Sequence, residues 1–256
     1  MPIGIRYLIV GIYLTFVGIT ASFVLEKPKP PATGCFENIT VGFSHLNLPI
    51  ELCHVGGSHI GSKHSMLVIG SVHGNEPAGK FVVDELVRLG ARQNTDLWVI
   101  RNGNPDGATR GIRQNEMGVD INRNFPTGWY PSDPKNNFYS GSNPASEPET
   151  QALMRAIDLV KPAVLITIHQ PFAIVDCSRG KDESLDERLA ALTGLPSGCI
   201  PGEKSGSPTN TYTGTITGWA NQRFENSSAL ALELGPVVSD QEILKYAQAL
   251  RNLEIQ

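Results

Sequence analysis

Two histidines and a glutamate, His73, Glu76 and His169, are the residues of this sequence whose types and spacing could do chemistry together. Two imidazoles and one carboxylate are what a catalytic zinc uses when its fourth position must hold water. His73 and Glu76 share the turn His73-Gly-Asn-Glu76, and His169 comes from a distant segment, which would leave one side of the metal open. One zinc per chain follows from one such set. A second carboxylate, Glu233, stands in the apolar run Ala229-Leu-Ala-Leu-Glu-Leu234, where packing favours an uncharged residue. As a general base it would take the proton of a water whose pKa the metal lowers to about 7. Each signal is weak alone. An H-x-x-E turn arises by chance, a single histidine is more often a hydrogen-bonded core residue, and a single glutamate can be half of a buried ion pair. Together they are the parts of a hydrolytic centre.

The elements that must position these residues are legible around them. Ser65-Met-Leu-Val-Ile-Gly70, Leu97-Trp-Val-Ile100, Ala163-Val-Leu-Ile-Thr-Ile168 and Ala229-Leu-Ala-Leu232 are continuous apolar runs of the kind strands show when buried on both faces. Each ends in a polar residue: His73 and Glu76 follow the first, Asn104 the second, His169 the third and Glu233 the last. The carboxyl ends of strands are where an open α/β sheet places its ligands. Helical spacing predicts a helix from Glu76 to Leu89, with Asn75 as N-cap and Pro77 in the first turn. Ser146-Glu-Pro-Glu149 and Ser239-Asp-Gln-Glu242 read as capping boxes opening two further helices. Ile39 to Cys53 reads as one or two extended segments. Asn102 to Asn143 is a long Gly, Asn and Pro-rich loop of the sort that carries function. Strands alternating with helices give an α/β fold.

With 256 residues and 40% hydrophobic content the chain is sized for one catalytic domain. A formal charge of -4 without a Lys/Arg cluster provides no field for a polyanion, so nucleic acid is excluded as a partner. Arg6 precedes an apolar run from Tyr7 to Val24, and Lys27-Pro-Lys-Pro-Pro-Ala-Thr-Gly34 follows. Residues 1–25 read as a signal peptide, cleaved near Ala21-Ser22, or as a membrane anchor through residues 7–24. Residues 26–38 then form a linker and 39–256 the catalytic domain, exported to the periplasm or held on the outer side of a membrane. Cys35, Cys53, Cys177 and Cys199 fit an oxidising compartment. Sequence proximity suggests Cys35 with Cys53 and Cys177 with Cys199, although four cysteines permit three connectivities. His45, His54, His59 and His64 read as ordinary surface residues.

The ordered set His73-Gly-Asn-Glu76, Asn104-Pro-Asp-Gly107, Arg113, Gly118-Val-Asp-Ile-Asn-Arg-Asn-Phe125, His169 and Ala231-Leu-Glu-Leu234 resembles the zinc carboxypeptidases of the carboxypeptidase A type. The likeness runs from about Gly42 to the C-terminal helix. It implies a single-domain mixed β-sheet flanked by helices. It also implies that Asn122 and Arg123 grip a substrate carboxylate and that Arg113 polarises the scissile carbonyl, with Arg110 as the competing candidate. A guanidinium meets a carboxylate bidentately, which suits Arg over Lys.

Gly107 to Phe125, Ser146 to Leu153 and Ile168-His-Gln-Pro171 are most similar to the murein peptide amidase branch, whose members cleave γ-D-glutamyl-meso-diaminopimelate in cell-wall peptides. Gln170 departs from that branch, where an acidic residue commonly follows the histidine. The resemblance therefore implies a peptide substrate, a muropeptide. The alternatives are a general L-peptide carboxypeptidase, an amidohydrolase of small N-acyl amino acids, and a catalytically silent peptidoglycan-binding protein. Pro201 to Gly218, rich in Gly, Ser and Thr, is the segment expected to line the specificity pocket.

Overall fold

The computed structural model describes residues 34–57, 64–177, 180–200 and 213–256. The apolar run Tyr7–Val24, residues 26–33 of the linker, His59 and residues 201–212 of the expected pocket segment lie outside them. Strands β1 (Glu37–Phe43), β2 (Pro49–Gly56), β3 (Ser65–Ile69), β4 (Asp96–Ile100), β5 (Val164–His169), β6 (Ile174–Asp176), β7 (Ser197–Gly198) and β8 (Ser228–Glu233) form one sheet. Helices α1 (Ala78–Leu89), α2 (Pro105–Arg110), α3 (Pro148–Val160), α4 (Leu185–Thr193), α5 (Ile216–Arg223) and α6 (Asp240–Asn252) alternate with the strands.

The sheet order is β1-β2-β4-β3-β5-β8-β6-β7. Its centre, β4-β3-β5-β8, is parallel, while β2 joins β4 and β6 joins β8 antiparallel, so the sheet is mixed. Alternate residues of the central strands serve the two faces. Met66, Val68, Ile166, Ile168, Leu230 and Leu232 pack under α1, α4 and α6. Leu67, Ile69, Leu165 and Ala229 pack under α3 and α5, together with Trp98, Ile121 and Phe125. Coverage on both faces is why these strands read as unbroken apolar runs.

Two of the expected helix starts differ. Helix α1 begins at Ala78 with Pro77 at its N-cap, and no side chain of that turn caps it; Asn75 stands outside. The cap arrives from elsewhere in the chain: the Ala78 N–H donates to Gln170 Oε1 at 3.0 Å, 92 residues away in sequence. At α3 the capping box does not form, since Glu147 is the N-cap and makes no side-chain cap bond. Ser146 Oγ instead donates to Glu147 Oε1 at 2.6 Å and accepts from Asn124 Nδ2 at 3.0 Å. The box expected on α6 is present, with Ser239 and Glu242 capping reciprocally.

The long loop carries more structure than its composition suggests. Asn104 Oδ1 caps α2 by accepting from Gly107 N–H, and its Nδ2 donates to the Arg113 carbonyl at 3.2 Å. A single 3-10 turn spans Ile121–Arg123. Asn115 stitches the middle: its Oδ1 accepts from Met117 and Val119 N–H, and its Nδ2 donates to Glu147 at 2.8 Å and Glu149 at 3.0 Å. Disulfides join Cys35 to Cys53 and Cys177 to Cys199, the pairing that proximity suggested.

Candidate active site

The parallel strands bring the singled-out residues to one end of the sheet. His169 and Glu233 are the last residues of β5 and β8 and sit opposite each other in register. His73 and Glu76 lie on the turn between β3 and α1. That turn is tight: Ser71 adopts a left-handed φ of 47°, its Oγ donates to the Glu76 carbonyl at 3.2 Å, and Glu76 N–H donates to the His73 carbonyl at 3.2 Å. Gly74 packs its backbone directly on Gly107, where a Cβ would overlap the Gly107 carbonyl group. The two loops that build the site are thus fitted against each other through glycine.

His73 Nδ1, His169 Nδ1 and the Glu76 carboxylate converge. The two ring nitrogens are 3.2 Å apart, and Glu76 reaches His73 Nδ1 at 2.8 Å and His169 Nδ1 at 3.0 Å. Two imidazole nitrogens turned toward each other beside one carboxylate, all within 4.8 Å, are a donor set aimed at a common point. The other nitrogen of His73 meets Asp120 Oδ1 at 3.1 Å, which fixes the ring with Nδ1 inward. Carboxylate support of a ligand histidine is the usual outer contact of a metal site. By donor chemistry and geometry these residues fit zinc.

Asp120 is the residue that sequence reasoning passed over. It lies inside the motif Gly118 to Phe125, buried, and carries four bonds: from His73, from Asn122 N–H, and from Arg113 Nε at 2.8 Å and Nη2 at 2.7 Å. Burial works against its charge, but Arg113, His73 and Arg123 overcome that and hold its carboxyl well below the usual range. Glu76 is likewise held low, His73 and His169 outweighing burial. His73 is raised: burial and Arg113 oppose its cation, and Glu76 and Asp120 prevail.

Glu233 goes the other way. Burial pushes it up to about 7, with His169, the Phe172 N–H and Arg113 pulling back and Glu76 pushing further. Its Oε2 has no hydrogen-bond partner among the described residues. Paired carboxyls driven apart by their surroundings are the usual mark of an acid–base centre.

Arg113, Asn122, Arg123 and Glu233 line one cavity of about 170 Å³ with the His73, Glu76 and His169 cluster. Phe138, from the long loop, adds an aromatic face to it, its ring centroid 4.9 Å from the Arg113 guanidinium and 5.7 Å from that of Arg123. Nothing in the sequence around Phe138 marks it for that place. Asn122 Oδ1 accepts from Ile216 N–H at 2.9 Å, tying the motif to the start of α5. Arg110 stays outside, paired with Glu116 on the surface. Asn104 also stays out of the cavity and shapes the loop. His45 and His54 are more than surface residues, since His45 bonds Glu147 at 2.9 Å and His54 bonds the fully buried Asp96 at 2.8 Å.

Residues 33–172 match the profile of the zinc carboxypeptidase family. The chain belongs to that family. It is 30% identical over 204 residues to murein peptide amidase A of Escherichia coli K12, covering 75% of this chain and 80% of the relative. The murein peptide amidase A of Vibrio campbellii is 28% identical over 195 residues, 72% and 74% of the two chains. Among solved structures, the murein-tripeptide amidase of E. coli O157 superposes with a TM-score of 0.66 at 27% identity, covering 84% of this chain and 90% of that one. Carboxypeptidase A of Helicoverpa armigera shares the fold, with a TM-score of 0.69 at 16% identity over 85% and 67% of the chains. The protein is a metallopeptidase, a hydrolase of the carboxypeptidase and amidase kind, and its family implies zinc. No described helix is long and apolar enough to cross a membrane.

Proposed function

We propose that this protein hydrolyses γ-D-glutamyl-meso-diaminopimelate in peptidoglycan peptides, outside the cytoplasm. The convergence of His73, Glu76 and His169 on the wall of a cavity shared with Arg113, Arg123 and Glu233 supports the chemistry, and the similarity to the murein peptide amidases supports the substrate. His73, Glu76 and His169 would hold one zinc, which when bound supplies a Lewis acid for the amide carbonyl and acidifies water. Arg123 and Asn122 hold the free carboxylate of the diaminopimelate residue and so set the register of the scissile bond. Arg113, steered by Asp120, stabilises the negative charge that develops on the carbonyl oxygen. Glu233 takes a proton from the attacking water and returns it to the leaving nitrogen as the C–N bond breaks, and the acid proton of the product passes to the amine, so that one water yields a carboxylate and an ammonium.

Two disulfides suggest an oxidising compartment, which supports export. In the proposed arrangement residues 1–25 are the signal or anchor and 26–38 the linker, whose last two residues already pair in β1, ahead of the catalytic domain of 39–256. The deciding experiment compares kcat/KM for L-Ala-γ-D-Glu-meso-diaminopimelate, an α-linked acyl-L-dipeptide and an N-acetyl amino acid, with products read by mass. Release of diaminopimelate from the first substrate, at a kcat/KM well above the other two, is expected. Preference for the dipeptide or the N-acetyl amino acid with the tripeptide left intact would overturn the substrate assignment.

A further inference from the structure

We infer that Gln170 is a positioning residue that locks the metal-ligand turn to the strand end carrying the general base, an inference that rests on the assignment of Glu76 and Glu233 above. Gln170 follows His169 directly and lines the cavity. Its Oε1 accepts the Ala78 N–H at 3.0 Å. Its Nε2 donates to the Gly235 carbonyl at 2.9 Å. Ala78 opens α1 two residues beyond Glu76, and Gly235 lies two residues beyond Glu233.

Each segment has ties of its own, Ser71 Oγ to the Glu76 carbonyl and Ala173 N–H to the Leu234 carbonyl, and the Gln170 side chain joins the one segment to the other. The first N–H groups of a helix need acceptors, and α1 has no side-chain cap of its own, so the Gln170 oxygen is its cap. Beyond β8 the ladder to β5 ends where Leu234 N–H donates to the His169 carbonyl at 2.8 Å. The Gly235 carbonyl, one residue on, is held by the Gln170 amide. One side chain thus joins three pieces: His169 by the backbone, the Glu76 turn through an acceptor, and the Glu233 strand through a donor.

The bridge needs an acceptor and a donor on one planar group, at the reach of two methylenes. Glutamine provides both. An ionised glutamate offers only acceptors, leucine offers neither, and asparagine is a methylene short. A carboxylate here would still cap α1, favourably at a helix N-terminus, but would face the Gly235 carbonyl with like partial charge. The two halves of the amide therefore act on different functional groups and can be separated by substitution.

The test uses Gln170→Glu and Gln170→Leu in the full chain. Zinc affinity is measured by chelator competition, kcat and KM on whichever peptide the wild type cleaves, and folding by circular dichroism and melting. Gln170→Glu keeps the half that serves Glu76, so zinc affinity stays within about twofold. It loses the half that serves Glu233, so kcat of the zinc-loaded enzyme falls about tenfold or more with KM little changed, as small misplacements of catalytic groups do. Gln170→Leu loses both, and zinc affinity drops by about tenfold to a hundredfold as well. The inference is overturned if zinc-loaded Gln170→Glu turns over within about twofold of wild type, or if Gln170→Glu loses as much zinc affinity as Gln170→Leu. Should the leucine variant not fold, the glutamate variant decides alone. A wild type that holds no zinc on His73, Glu76 and His169 would instead defeat the assignment of the site.

Discussion

Glu233→Gln separates a base from a structural carboxylate, because the structure gives the two roles opposite consequences. Glu233 is buried, with one oxygen unpartnered among the described residues, and its carboxyl is pushed from 4.5 up to about 7. An acid raised in the folded state adds stability below its unfolded pKa, and that contribution is lost as pH rises through the folded value. Above pH 7 the metal-free fold therefore carries an ionised carboxylate it disfavours. At about 1.4 kcal/mol for each pKa unit, the rise amounts to about 3 kcal/mol. Glutamine keeps the shape and an acceptor for the Phe172 N–H without the charge. Metal-free Glu233→Gln is accordingly expected to melt about 5 °C or more above metal-free wild type at pH 8, with the difference shrinking toward pH 5. Bound zinc favours the carboxylate and reduces the gap in the loaded protein. In the same preparation kcat should fall by about 10² to 10⁴, the range for a positioned proton-transfer group, with zinc content intact. A lower melting temperature with near wild-type turnover per zinc-loaded chain would make Glu233 an ion-pair partner and not the base.

Asp120→Asn removes the charge that fixes His73 and Arg113, and zinc affinity by chelator competition is expected to fall by about tenfold to a hundredfold. His73, raised in the folded state, stabilises the metal-free chain below its unfolded pKa of 6.5 and loses that contribution as pH rises through its folded value. Protons and metal compete for Nδ1, so zinc affinity should climb with pH across that interval, and an affinity flat from pH 5 to 8 would contradict the assignment. Arg123→Lys keeps the charge and loses the planar fork, so KM for a substrate with a free carboxylate should rise about tenfold or more, while an amidated substrate is cleaved equally by both enzymes. Replacing Cys177 and Cys199 by serine opens a loop of sequence separation 22 and should cost about 3 kcal/mol, read by denaturant unfolding.

The strands and the candidate ligands were legible in the sequence for one reason. A strand buried on both faces is an unbroken apolar run, and His169 and Glu233 interrupt two such runs where they end. The H-x-x-E turn is local, so His73 and Glu76 announced themselves together. What stayed hidden depends on partners distant in sequence. The cap of α1 comes from Gln170, and the role of Asp120 exists only where His73 and Arg113 meet it. The box at Ser146 failed to form because Asn124 and Glu147 claim the hydroxyl. Helix α4 buries only Leu185, Leu189 and Thr193, too thin a stripe to stand out, and α5 lies in a Gly and Thr-rich segment. The choice between Arg110 and Arg113 turns on a fold-level fact, which loop face meets the cavity.

Whether one metal sits on His73, Glu76 and His169 is answered by anomalous diffraction at the zinc edge from crystals of the zinc-loaded protein. A single strong peak per chain is expected within about 2.0–2.2 Å of His73 Nδ1, His169 Nδ1 and a Glu76 oxygen, and no peak in the His73→Ala, His169→Ala double variant. A peak bonded to other residues, or one that persists in the double variant, would contradict it.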